Sequence, residues 1–233
     1  MILWAGLWLA GAAHAGSLSV MPVVVGLSAQ NVREAISVIN RGDERTTVHV
    51  DVVSWTQADG RDVFLPTSDV VLNPGVFTLQ PGQTQVLRLG WRGKGPVDTE
   101  RTYRLLLREV PPAMNAAVPL GPAARPDGGP QVRVLLELRI PVYVAPEKAM
   151  PRSEWQVKRV DANAVEVRLR NPGNVHTVVR QMQVTAGAPL DTQAAVLAGQ
   201  ERRWILPLQQ ADGANPVVDV RTDQGRWQLP VED

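Results

Sequence analysis

The sequence contains no cysteine, only three histidines and almost no net charge. With no cysteine among 233 residues, the chain cannot be a disulfide scaffold, a thiolate zinc protein, an iron–sulfur protein or a cysteine-nucleophile enzyme. The 24 basic and 23 acidic residues nearly cancel, to a net charge of +1. Such a chain has no net positive field to steer nucleic acid, so we expect no nucleic-acid partner.

The motifs of the common enzyme classes are also missing. The sequence has no G-x-S-x-G elbow, no P-loop and no G-x-G-x-x-G after a strand, and its scattered carboxylates single out no catalytic dyad. His49 and His176 stand alone, without the H-x-H or H-E-x-x-H spacing of a metal site. We therefore expect no metal, no cofactor and no enzymatic activity.

Long helical patterns are absent, whereas turn-forming residues are abundant. Glycine and proline occur 19 times each, against five methionines and two phenylalanines, which indicates many short elements. Alternating runs such as Thr46–Thr56, separated by turn signals such as Gln80–Gln83, predict strands along nearly the whole chain. The hydrophobic fraction of 44% is enough for a folded core.

The first 15 residues form an uncharged apolar segment. It runs from Ile2 to about Ala13 and ends in Ala13-His14-Ala15, a small-x-small pattern that predicts a signal peptide cleaved near Ala15. The segment is too short for a comfortable membrane span, which needs about 20 residues. We therefore expect an exported protein with no membrane span after signal removal.

One stretch has the cleanest alternation in the chain. From Gln131 to Val144 every second residue is apolar, which predicts a half-buried strand of unusual length. The residues concerned are Val132, Val134, Leu136, Leu138, Ile140 and Val142. A stretch rich in Ala, Pro and Gly precedes it at 113–130 and predicts a long loop. Near the other end of this half, Pro22 interrupts Leu18–Val25, which predicts an edge strand or one that switches partners.

A break in the pattern divides the chain. Residues 146–151 include two prolines and predict a stiff linker, after which short strands begin again. The predicted organisation is a signal peptide at 1–15, an N-terminal domain at 16–145, a linker at 146–151 and a C-terminal domain at 152–233. The number of strands and the spacing of turns predict an all-β fold of two immunoglobulin-like sandwiches.

Four fragments, in this order and spacing, resemble the periplasmic pilus chaperones of the PapD-like family. The first is P-x-x-x-x-L-x-P-G-x-x-Q-x-x-R-L at Pro74–Leu89, and the second is Y-R-L-x-x-x-E-V-P at Tyr103–Pro111. The long alternating strand before Pro146 is the third, and Asn171–Val184 resembles the second domain of that family. The pattern LRIPVYVAP is similar to the divergent archaic or spore-coat-type branch.

The resemblance implies two sandwiches set at an angle, with a cleft between them, and a function in binding. A chaperone of this kind captures pilin or coat-type subunits in the periplasm, prevents their aggregation and delivers them to an outer-membrane usher. It lends the subunit a donor strand, whose residues here would be Val132, Val134, Leu136, Leu138 and Ile140. Periodicity alone favours a plain core strand, and the resemblance reverses that preference. An exposed apolar strand would also allow self-association of the free protein.

The sequence departs from the better-known members at the residues that hold the subunit's C-terminal carboxylate. The resemblance places their first-strand arginine near Pro22 and their donor-strand lysine at Pro141. Neither proline can bind a carboxylate through its side chain. Candidate replacements are Arg139, Arg88 and Arg104, because the arginine fork binds carboxylate bidentately. Each of them could equally belong to a solvated sheet face.

A second function remains open from the residues alone. Five tryptophans lie in the predicted strands, at 55, 91, 155, 204 and 227, and exposed aromatic rings could stack on sugars. That pattern would suit a secreted two-domain carbohydrate-binding or adhesive protein. Core filling is the favoured interpretation for most of these tryptophans.

Overall fold

The computed structural model describes residues 18–111, 135–185, 187–208 and 216–232, and every regular element in them is a strand. The predicted signal peptide, the predicted loop at 113–130, and Val132 and Val134 lie outside the described residues. The first ten strands are β1 (Leu18–Met21), β2 (Val25–Leu27), β3 (Arg33–Asn40), β4 (Thr46–Ala58), β5 (Arg61–Pro66), β6 (Val70–Asn73), β7 (Val76–Leu79), β8 (Thr84–Trp91), β9 (Arg101–Val110) and β10 (Glu137–Val144). The other seven are β11 (Glu154–Asp161), β12 (Ala164–Arg170), β13 (Thr177–Val184), β14 (Leu190–Val196), β15 (Glu201–Pro207), β16 (Val217–Thr222) and β17 (Arg226–Pro230).

Strands β1 to β10 form two sheets that face each other. One sheet has the order β1-β3-β8-β6, and the other has the order β2-β10-β9-β4-β5, with β7 also paired to β4. The period of two directs alternate residues inward. On β8, for example, Leu87 and Leu89 are buried while Arg88 points outward. Between the sheets lies one continuous apolar core, which includes Leu105, Leu107 and Val142.

The chain changes sheets at Pro22, which is one of the two arrangements that the sequence allows there. Strand β1 pairs antiparallel with β3, whereas β2 pairs parallel with β10 through Val25–Leu27 and Val142–Val144. Pro22 lies between the two strands. It has no N–H to donate to a ladder, so the break in pairing falls where the backbone has a missing donor.

Strands β11 to β17 form a second sandwich with its own core. Its sheets have the orders β11-β12-β15 and β14-β13-β16-β17, and Val165, Val167 and Val179 are fully buried between them. Strand β10 ends at Val144 and β11 begins at Glu154. The predicted all-β, two-sandwich fold class is confirmed. In the residues described above, no helix is long and apolar enough to cross a membrane.

The buried core predicts the stability cost of a truncation. Leu107 has no exposed surface in the first sandwich, and Leu107→Ala should lower the free energy of unfolding by about 2–5 kcal/mol, because it leaves a cavity. Urea unfolding followed by circular dichroism measures the difference. Val76, which is 57% exposed, provides the control: Val76→Ala should change stability by less than about 0.5 kcal/mol. Equal costs for the two variants would contradict this assignment of the core.

Candidate functional site

Strand β10 has one paired edge and one edge that is mostly open. On one side it pairs with β9 along its whole length, from Glu137 to Val144. On the other side β2 covers only Val142–Val144. Between Glu137 and Pro141, therefore, no strand among the described residues pairs with the second edge. Such an edge is a template for adding another strand.

The backbone polar groups along this open edge can be assigned from the hydrogen bonds at its two ends. The Leu136 carbonyl accepts a bond from the Glu109 N–H at 3.0 Å on the β9 side, and the Ala145 N–H donates to the Leu27 carbonyl at 2.8 Å on the β2 side. Successive residues of a strand direct their backbone N–H and C=O groups to opposite edges. Glu137 and Arg139 therefore direct theirs to the open edge. Pro141 shares their side, so its missing N–H removes no bond to β9.

The inward-facing apolar side chains of β10 lie within the core towards the end of the strand and at the border of the core towards its start. Ile140 is 6% exposed and Val142 is fully buried, and both belong to the core of the first sandwich. Leu138 and Leu136 are only partly buried and pack against the same core. On the opposite face, Leu135 is 47% exposed. Of the predicted donor residues that the structure describes, Ile140 thus serves the chain's own core, while Leu136 and Leu138 keep exposed surface.

A row of charges crosses the outer face beside this edge. Glu137 accepts hydrogen bonds from Arg108 Nε and Arg139 Nε, each at 2.6 Å, and Arg108 Nη1 also donates to Asp51 at 3.0 Å. The hydrogen bonds from Arg108 and then Arg139 lower the pKa of the Glu137 carboxyl. Arg139 is therefore bonded to Glu137 on this face, although its side chain remains 58% exposed.

Arg104 lies in the register position opposite Pro141. Its guanidinium carbon stands 3.7 Å from the centre of the Trp55 ring, and burial lowers the pKa of this guanidinium. No carboxylate among the described residues lies within ion-pair distance of it. Arg104 also feels the charge of Arg139. The structure thus places two of the three predicted anchor candidates on one face beside Pro141.

The third anchor candidate lies elsewhere. Arg88 is on β8, in the sheet that contains β1, β3 and β6, and its side chain points away from the core. It is therefore on the opposite side of the sandwich from the outer face of β10. Arg88 is exposed to solvent on the outer face of its sheet.

The second sandwich packs against the end of the same face. Trp55 is 1% exposed and forms a small apolar cluster with Tyr143, Ala195 and Leu197. The Tyr143 ring stacks on His176 at 3.7 Å and 5°. Burial raises the pKa of the Tyr143 hydroxyl. Sequence reasoning missed this interface because its members lie far apart in the chain.

Polar contacts also tie the two sandwiches together. Gln57 Nε2 donates to the Ala195 carbonyl at 2.9 Å, and the Leu197 N–H donates to Gln57 Oε1 at 3.0 Å. His176 Nδ1 lies 2.7 Å from Glu100 Oε2. Gln57 and Glu100 belong to the first sandwich and their partners to the second. These contacts hold the end of β10 at a defined position relative to the second sandwich.

The five tryptophans among the described residues are used for packing. Trp55 is buried at the interface, Trp91 packs against the first core, and the remaining three pack against the second core at 155, 204 and 227. This agrees with core filling as the favoured interpretation. Within the described residues, no group of three or more His, Asp or Glu side chains could hold a metal ion.

Comparisons with known proteins agree with this architecture. The family model for the pili and flagellar-assembly chaperone, PapD N-terminal domain, matches residues 17–150. None of the curated proteins compared with the chain matches it in sequence.

Solved structures of low sequence identity share the fold over nearly the whole chain. A chain of the CsuC–CsuE chaperone–tip adhesion subunit pre-assembly complex, from archaic chaperone-usher Csu pili of Acinetobacter baumannii, has a TM-score of 0.68 at 17% identity, covering 93% of this chain and 98% of that one. The E. coli chaperone DraB has a TM-score of 0.59 at 19% identity, with coverages of 93% and 96%. A chain of the Salmonella enterica SafA pilin–SafB chaperone complex has a TM-score of 0.62 at 15% identity, with coverages of 94% and 97%.

The contacts at the interface predict that removal of the Gln57 side-chain amide lowers the stability of the protein. Gln57→Ala should lower the free energy of unfolding by about 1–3 kcal/mol, because the Ala195 carbonyl and the Leu197 N–H lose their buried partner. Guanidinium unfolding measures the difference. Gln85→Ala is the matched control, since the Gln85 amide is exposed and bonds only the neighbouring Val86 carbonyl. If the two variants are equally stable, the Gln57 contacts do not hold the sandwiches together.

Proposed function

The chain belongs to the family of pili and flagellar-assembly chaperones, and from this premise we propose that it binds pilus or coat-type subunits by donor-strand complementation. The observation that carries the proposal is the open edge of β10 between Glu137 and Pro141. A subunit that lacks one strand of its sandwich would pair with this edge. The exposed groove of the subunit would then be covered, so the subunit would no longer aggregate.

The side chains beside the open edge support the same proposal. Leu136 and Leu138 already lie at the border of the chain's own core, and the apolar alternation continues in sequence to Val134 and Val132. Burying each such side chain in a subunit groove contributes roughly 1.5–3 kcal/mol before ordering costs. The proposed donor segment therefore combines backbone pairing with side-chain insertion.

The cellular setting is part of the proposal. Removal of the apolar segment at 1–15, near Ala15, would release the protein into the periplasm. There, residues 16–145 would form the domain that binds the subunit, 146–151 the linker and 152–233 the second domain. The chaperone would pass its subunit to an outer-membrane usher. Without a subunit, the same open edge would allow self-association of the chaperone.

Arg104 is the best-placed residue to bind the subunit's C-terminal carboxylate. It lies opposite Pro141 in the ladder, its guanidinium is held against Trp55, and no carboxylate in the described residues pairs with it. Arg139 lies near enough to add its charge. A carboxylate that enters beside Pro141 would therefore meet a guanidinium that is already oriented and partly desolvated.

Donor-strand binding predicts opposite outcomes for two adjacent leucines. Leu136→Glu places a charge on the face that would enter the subunit, so the subunit should lose its stabilisation. Leu135→Glu places the same charge on the opposite, exposed face and should leave binding within about twofold of wild type. The measurement is the soluble periplasmic yield of a pilin-like subunit that is co-expressed with one chaperone variant at a time.

Thermal unfolding of both variants provides the control for folding. The proposal requires that the Leu136→Glu chaperone remains folded, because Leu136 lies at the border of the core rather than within it. An undiminished subunit yield with folded Leu136→Glu protein would rule out donation by this face of the strand.

The anchor proposal predicts a second pair of outcomes. Arg104→Ala should weaken binding of a purified subunit by about 1.5–3 kcal/mol, roughly 10- to 150-fold, through loss of a charged hydrogen bond. Arg88→Ala removes the same charge from the distant sheet and should change binding little. Titration calorimetry measures both, and a subunit shortened by its terminal residue tests the assignment. Equal losses for the full-length and shortened subunits would show that Arg104 does not bind the terminal carboxylate.

A further inference from the structure

A polar cavity of about 690 Å³ lies between the two sandwiches. One wall is the turn between β4 and β5, in which Asp59 and Gly60 have φ values of 51° and 73°. The other wall consists of the end of β12 and the start of β15. The volume is within the range of about 300–1,000 Å³ that is usual for ligand sites.

The walls of this cavity carry an excess of arginine. Its charged lining residues are Arg61, Arg170, Arg202 and Arg203, together with Asp59 and Glu201. We call this set the arginine cleft. It has four positive and two negative side chains, although the whole chain is nearly neutral. The excess of positive charge is therefore local to the cleft and is not a property of the whole chain.

The carboxylates of the cleft neutralise only some of its arginines. Glu201 accepts hydrogen bonds from Arg203, at 3.0 Å, and from Arg168, which lies outside the cleft lining. Arg170 has only a 3.4 Å contact with the exposed Glu154. Arg61 and Arg202 have no ion pair with any described residue. The Arg202 guanidinium instead lies 5.9 Å from the centre of the Trp204 ring. Arg61 and Arg202 thus stand on different walls of the cavity without a carboxylate partner among the described residues, and an anion there would supply a counter-charge.

The cleft is separate from the open edge of β10. Strand β5, which contributes Arg61, lies at the opposite end of the five-strand order that runs from β2 through β10. A ligand in the cleft would therefore leave the open edge free.

We propose that the arginine cleft binds an acidic peptide segment in an extended conformation. Arginine forks recognise carboxylates bidentately. In an extended segment, side chains two residues apart lie roughly 6.6 Å apart on one side, so one segment can present separate carboxylates to the two walls, whereas one phosphate is a single compact charge. Asp59 and Glu201 would repel dense negative charge but could accept hydrogen bonds from peptide N–H groups. The partner is thus a protein with spaced Asp or Glu residues in an exposed segment.

Binding at this place would also join the two sandwiches. Arg61 belongs to the first sandwich, whereas Arg202 and Arg203 belong to the second. A segment that contacts both walls would add to the contacts of Gln57 at the interface. We therefore expect the peptide to raise the unfolding temperature of the whole protein, and we expect salt to weaken the effect.

The test uses the mature full-length chain and a fluorescein-labelled (Glu-Ser)5 peptide, followed by fluorescence anisotropy at low salt. The cleft variant is Arg61→Gln with Arg202→Gln. Its matched control is Arg33→Gln with Arg221→Gln, which removes the same charge from exposed positions outside the cleft. The cleft variant should bind the peptide at least about tenfold more weakly, whereas the control should stay within about twofold of wild type. A (Gln-Ser)5 peptide should not bind.

Three results would overturn the proposal. They are absence of (Glu-Ser)5 binding to wild type, equal weakening in the cleft and control variants, or stronger binding of inorganic phosphate or phosphatidylglycerol vesicles than of the peptide. Thermal unfolding checks that each double variant is folded, and Arg61→Gln alone replaces the double variant if it is not. The cleft variant should also retain the subunit stabilisation that Leu136→Glu is expected to abolish. Failure of the peptide test therefore leaves donor-strand binding unaffected, and the reverse is equally true.

Discussion

Backbone hydrogen bonding of strand β10 is the constraint on which the proposed site depends. A strand inside a sheet has partners on both edges, whereas β10 has β9 along one edge and only the short β2 along part of the other. Its unpaired stretch, Glu137 to Pro141, can be satisfied by water or by an incoming strand. The proline at the end of that stretch removes one outward donor without weakening the pairing to β9. The same strand can therefore keep one edge open and still be firmly paired within the sandwich.

The interface between the sandwiches fixes the surroundings of this edge. Tyr143 lies two residues beyond Pro141 and stacks on His176 of the second sandwich, so the strand that would bind a subunit also holds the two sandwiches together. Trp55 packs in the same cluster and supports the guanidinium of Arg104 on its face. The packing that orients the second sandwich thus also positions the proposed carboxylate anchor. The arginine cleft lies at the turn between β4 and β5 and depends on the same docking, because its walls come from both sandwiches.

Part of this site could be predicted from residue patterns, and part could not. Alternation identified the apolar face of β10, and the lack of an N–H identified Pro22 as a place where pairing changes, because both effects act within a few residues. Alternation could not say where the chain's own core ends, so it treated buried Ile140 and half-buried Leu136 alike. It also could not separate Arg88 from Arg104, since each lies on an outward face of a strand and only sheet order tells those faces apart.

The sequence by itself determined the all-β class, an interruption of strand pairing at Pro22 and the long apolar alternation before Pro146. These follow from the two-residue period of strands and from the missing donor of proline, which are properties of the local chain. Only the tertiary structure decided that one edge of β10 is open, that Arg104 lies against Trp55, and that Arg61, Arg202 and Arg203 line one cavity. Each of these depends on which strands become neighbours. Strand pairing joins residues far apart in the chain, so no local pattern specifies it.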